Sequence, residues 1–149
     1  MDKSTDKLWY ADRNAGSRRR LEAFVGAADV ASAENKAQIA STLAHLAFWD
    51  RFVEARWLLA KRLGLSVPPE IDDAHTDLVN DAAFPLWRLI DIDAAARDAL
   101  DTAARLDSLI DAIEPAVAGR LIESGRSRLV DRSAHRDEHL GDLGRADLG

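Results

Sequence analysis

Residues 35–63 read NKAQIASTLAHLAFWDRFVEARWLLAKRL. Ile39, Leu43, Leu46, Val53 and Trp57 recur at helical spacing, and Trp49, Phe52 and Leu59 widen the stripe. Gly64 follows the last periodic residue, where a left-handed residue closes a helix. Pro68-Pro69 then bars continuation. The stretch predicts an amphipathic helix of about eight turns, whose apolar side has to lie against other helices.

Upstream, a first helical segment spans about Ser4 to Ala28. Leu8, Leu21, Phe24 and Val25 are its apolar positions, Trp9 and Tyr10 stand near its start, and Gly16 is a point where it can break. Asp29 to Glu34 is small and polar and reads as a turn. Downstream, residues 65–92 form a long connection. Its opening, SVPPEIDDAHTD, is polar and acidic; its second half, LVNDAAFPLWRLI, is apolar with Pro85 inside. One or two short helices are expected there, packed over one end of the molecule, because a connection this long within a compact domain usually serves function or covers something. A third main helix, about Asp93 to Ile113, lines one face with Ala96, Leu100, Ala103, Leu106, Leu109, Ile110 and Ile113. Asp91 or Asp93 can cap its start, and Pro115 marks its end. Residues 116–127, with Gly119 and Gly125, read as one loose turn of helix. A fourth main helix covers about Val130 to Leu148, capped by Asp131, with Leu140 and Leu143 inward. The expected fold class is all-α: a four-helix bundle with a long crossover between helices two and three, as a single domain over residues 1–149.

Composition agrees. Ala (27) and Leu (19) dominate over Val (7) and Ile (7), which favours helix over strand. The absence of Cys excludes disulfides, Cys-ligated zinc, iron–sulfur clusters and a Cys nucleophile, so any thiol chemistry needs a thiol from outside. A net charge of −6 argues against a nucleic-acid partner, and Arg18-Arg19-Arg20 reads as a solvated helix face. No apolar run approaches the ~20 residues of a membrane span. The opening MDKSTDKLWYADRN lacks the apolar stretch of a secretory signal, so a cytoplasmic location is expected.

Four histidines are present. His135 and His139 stand four apart in SAHRDEHLGDL, which on a helix places both imidazoles on one face, one turn apart. His45, in STLAHLAFWDRF, follows the apolar stripe and faces inward. Three imidazoles gathered at one end of a bundle suit zinc or another borderline divalent metal, with a position left open for water or substrate. The alternative reading makes His45 a satisfied core histidine and the pair an incidental surface feature. His75, in IDDAHTD, reads as solvated. Asp142, three residues after His139, is placed to hydrogen-bond a ligand imidazole from behind. Asp50 is a candidate to pair with Arg51 or Arg136. Trp49, Asn80 and Trp87, with Phe48 and Phe84, are candidate walls of a substrate pocket; the alternative is core packing or a cap.

LAHLAFWDRF, VNDAAFPLW and DRSAHRDEHLGDL, in that order, resemble the DinB-like superfamily, which includes maleylpyruvate isomerases and mycothiol- or bacillithiol-dependent S-transferases. The resemblance runs over essentially the whole chain, and the His-bearing segments carry most of its specificity. It implies an up-down-down-up four-helix bundle that binds a divalent metal, often zinc or nickel, through His45, His135 and His139. It implies a low-molecular-weight thiol as cosubstrate, its pKa lowered by the metal, and dimers in some members. Arg88, Arg132 and Arg136 are candidates to hold the carboxylates of such a thiol. The first expectation is a metal-dependent enzyme acting on a small electrophilic substrate, as thiol S-transferase, isomerase or hydrolase, with no catalytic residue assigned. A metal-free binding, stress or self-resistance protein using Trp49, Trp87 and Asp50, or a non-catalytic interaction module, is the alternative.

Overall fold

The computed structural model describes residues 3–28 and 31–147, with side chains over 9–28 and 31–143. Every regular element within them is helical. Helix α1 spans Lys3–Ala27, α2 Ala33–Leu63, α3 Ala74–Trp87, α4 Ile92–Asp111, α5 Pro115–Glu123 and α6 Ser133–Asp147, with a single 3-10 turn at Ser127–Leu129 before α6.

Local chemistry sets the boundaries. Ser32 caps α2, its hydroxyl accepting from the Asn35 N–H. Glu34 in the first turn and Lys61 and Arg62 in the last complement the helix dipole. Gly64 ends α2 at φ 70°, its N–H directed to the Ala60 and Lys61 carbonyls, while the Leu65 N–H returns to Ala60. Asp91 caps α4 through the Asp93 N–H. Asp131 accepts from the N–H of Ser133 and so opens α6. α1 passes through Gly16 without a break.

The crossover folds half of its length into one 14-residue helix, α3, with Pro85 in its last turn, so the hydrogen bond its nitrogen cannot make falls at the helix's end. Two expectations change. In place of one loose turn over 116–127, a nine-residue helix runs Pro115–Glu123: Pro115 sits at its first position, where no N–H is needed, and Ala118 and Leu121 are buried. The last helix begins at Ser133 and not at Val130, because the 3-10 turn and the Asp131 contact occupy the approach. Asp29, Val30 and the expected end at Leu148 lie outside the described residues, as does the side chain of Leu8.

α2 packs most extensively on α4, and the contacts α1–α4, α1–α6 and α2–α6 close a cycle through the four longest helices. α3 packs on α2 and contributes one buried residue, Trp87. The core is split in two. One cluster joins Leu21, Ile39, Leu43 and Leu46 to Ala95, Ala99, Ala103, Leu140 and Leu143, where short α4 side chains permit close helix approach. The other joins Tyr10, Val53, Trp57, Leu106, Ile110 and Leu121 to Leu129 and Val130. Among the described residues, no helix is long and apolar enough to cross a membrane.

A buried charge network also belongs to the interior. Arg136 is 0% exposed and meets Asp50 at 3.0 Å and Asp107 at 2.9 Å. Arg132 meets the other oxygen of Asp50 at 2.9 Å. Arg18 reaches Asp107 at 3.0 Å, so this member of the arginine run is not merely solvated. Ser17 and Asn14 accept further guanidinium hydrogen bonds, and Asn14 also joins the Val130 carbonyl to the Arg132 N–H. Removing one partner from such a network leaves an uncompensated buried charge, so Arg136→Ala is expected to lower the unfolding free energy by about 3–5 kcal/mol. Urea unfolding checks this; a loss below about 1 kcal/mol would place the network among the interactions of little structural weight.

Candidate metal centre

The three histidines approach from two helices. His45 lies on α2, with Leu43 and Leu46 of its stripe in the core. His135 and His139 lie one turn apart on α6, whose rotation is fixed by Arg136, Leu140 and Leu143. The Nε2 atom of His45 stands 3.2 Å from Nε2 of His135 and 3.1 Å from Nε2 of His139. The ligand atoms of all three lie within 4.8 Å of one another, and this is the one group of His, Asp or Glu among the described residues able to hold a metal ion. Ring packing agrees: His45 meets Trp87 edge-on at 5.1 Å between centroids and His139 at 4.4 Å.

These separations suit an ion better than a proton. Nitrogens held ~2.0–2.1 Å from a tetrahedral ion are separated by about 3.3 Å. A hydrogen bond between two imidazoles needs one protonated and one bare nitrogen, so the two contacts of the His45 Nε2 must share a single proton or a single lone pair. An ion at the shared point would use all three lone pairs at once.

Electrostatics keeps two of the rings, His45 and His135, in the ligating form. Burial, followed by the neighbouring His139 and Arg132, lowers the His45 pKa to about 4. Burial, followed by Arg132, His139 and His45, lowers that of His135 to about 2. Both rings are therefore neutral in the folded protein at pH 7. An unfolded chain protonates them near pH 6.5, so below that value the unfolded state binds more protons and acidification favours unfolding. The metal-free protein is expected to lose about 2 kcal/mol of stability for each of these two rings, about 4 kcal/mol together, between pH 7 and pH 5. Urea unfolding at the two pH values measures this, and an unchanged midpoint would contradict it.

One contact opposes an ion. The Nη2 of Arg132 lies 3.4 Å from Nδ1 of His135. A guanidinium only donates, so this contact is satisfied when Nδ1 is bare and the ring proton sits on Nε2, pointing into the centre. A neutral His135 ligating through Nε2 carries its proton on Nδ1 and faces the guanidinium donor. Arg132 is held by Asp50 and by the Arg128 carbonyl, so it does not yield freely. Arg132→Ala is expected to bind zinc several-fold more tightly than the parent chain in a competition titration against a chromophoric chelator, with Asp50 still paired to Arg136. Weaker binding in the variant would show that Arg132 supports the site.

Beside the histidines opens a cavity of about 270 Å³, lined by Ser41, Thr42, His45, Asn80, Asp81, Phe84, Trp87 and His139. Trp49 stands behind this wall: its indole N–H donates to Oδ1 of Asn80 at 2.7 Å, while its ring packs edge-on against Phe48 and Phe52. Asp142 is exposed on α6, three residues past His139. His75 is exposed in the first turn of α3, outside the cluster. Asp50 is buried between two arginines and not available to a ligand, and Arg132 and Arg136 are engaged by Asp50 and Asp107. Arg88 lies over the Phe84 ring, 5.7 Å from its centroid.

Sequence reasoning passed over Ser41, Thr42 and Asp81, although Ser41 and Thr42 precede His45 by the four and three residues that place side chains on one helix face. It also passed over the depth of the network. Asp50 interrupts the apolar stripe between Leu46 and Val53, and Asp107 falls between Ala103 and Ile110; a carboxylate in a buried register signals a buried partner. Compared with known proteins, the chain matches no family model, no curated protein and no solved structure.

Proposed function

We propose that the chain is a divalent-metal-binding helical bundle of the DinB-like type. His45, His135 and His139 would hold the ion, and its open position would face the cavity between α2, α3 and α6. The convergence of three Nε2 atoms, with 3.1 and 3.2 Å between neighbours, carries this reading. The cycle of contacts through α1, α2, α4 and α6, with α3 lying in the crossover between α2 and α4, supports the four-helix arrangement in up-down-down-up order. The donor set, three imidazoles with no thiolate, suits zinc or nickel.

The proposed activity is chemistry on a small electrophilic substrate: thiol transfer, isomerisation or hydrolysis. A bound ion would supply Lewis acidity, lowering the pKa of a thiol or water at its open position. The chain's own residues have separate tasks. Trp87 packs against the His45 ring and screens one side of it from water, and Trp49 holds the Asn80 side chain at the cavity wall.

A second reading, a metal-free binding protein that uses the same cavity, draws on the Arg132 contact that favours a proton on Nε2 of His135. Metal analysis separates the two. Purified protein is expected to carry close to one equivalent of zinc or nickel, and His135→Ala to lose most of it, since two imidazoles remain. Equal metal content in parent and variant, or none in the parent after zinc is supplied, would remove the metal reading.

A further inference from the structure

The cavity beside the histidines has an uneven chemistry. Asp81 is the one charged side chain among its lining groups; no lysine or arginine reaches it. Asp81 is exposed on α3, and its carboxylate makes no hydrogen bond or ion pair among the described residues. The Ser41 hydroxyl donates its proton to the Gln38 carbonyl at 3.0 Å, so it offers only lone pairs to a ligand. Arg132 and Arg136 are held by buried carboxylates, and Arg88 lies over the Phe84 ring and is not part of the lining. Phe84 and Trp87 supply aromatic surface for an apolar body. A volume of about 270 Å³ admits one ring with a short chain and little more.

We infer that this cavity takes a small amine: an ammonium group on an apolar or aromatic body, with the ammonium at Asp81 and the body against Phe84 and Trp87. A carboxylate-bearing thiol, of the kind the family resemblance allows, meets no lysine or arginine in this lining and faces Asp81. The inference rests on the metal reading only in placing the ligand's reactive atom near the histidines; recognition of the amine rests on α3.

The test uses the whole chain as purified, its metal content measured beforehand. Phenethylamine and 2-phenylethanol, nearly equal in shape and different in charge, are titrated at pH 7 while the indole N–H resonances of Trp49 and Trp87 are followed by NMR. Phenethylamine is expected to bind about tenfold more tightly than the alcohol. In Asp81→Asn that preference should vanish while the affinity for the alcohol stays the same. Asp81 is exposed, so the substitution leaves the core untouched. Equal affinities in the parent chain, or a preference that survives in Asp81→Asn, would overturn the proposal. An amine preference in protein that takes up no metal upholds the amine site and removes the metal reading alone.

Discussion

Arg136 has no exposed surface, and its guanidinium joins three helices: its own, α2 through Asp50 and α4 through Asp107. Ser17 and Asn14 of α1 complete its shell, so all four long helices meet at one side chain. A planar cation with five donors is suited to this task, because its donors diverge at fixed angles and each must be met when water is excluded. An apolar residue there would pack with less directional demand; the arginine admits few rotations of α6 about its axis. Buried charges of this kind add little net stability when complete, and their value lies in geometry.

That geometry governs the histidines. Successive helix residues are turned by about 100°, so fixing Arg136 places His135 and His139 together on one flank of the inward face. Leu140 and Leu143 fill the remainder. Asp50 ties the same network to the helix that carries His45, five residues away in sequence. The convergence of the three imidazoles thus follows from a charge cluster lying beside them. The same cluster sends Arg132 towards His135, so the scaffold that assembles the centre also places a donor against one of its rings. Occupancy by an ion or a proton is set by the balance of these two effects.

The helices were legible because apolar spacing reports directly on which residues face inward. Residues 39–57 show it plainly, and Gly64 and Asp91 act as the caps that their positions suggest. The pairing of His135 with His139 was legible for the same reason: four residues are one turn. α5 was not, since its nine residues are too few to show a period and Pro115 reads equally as an end or a beginning. The pairing of Asp50 with Arg136 was among the candidates, but the burial of Arg132 and Arg136 was hidden because arginine is ordinarily exposed, and burial depends on partners more than 20 residues distant that no local pattern reports. The cavity depends on how α3 lies across α2. The sequence showed a long, half-apolar crossover and offered Asn80, Phe84 and Trp87 as wall residues, but not how they come together with Ser41 and Thr42.

α3 supplies half of the residues around the cavity and yet buries only Trp87. Recognition and scaffold are therefore housed in different parts of the chain. Residues such as Asp81 and Phe84 can be exchanged without disturbing Arg136 or the alanine stripe of α4. A lineage built on this frame can change what it accepts by drifting in a single exposed segment, while the buried charges and the histidines they orient stay as they are.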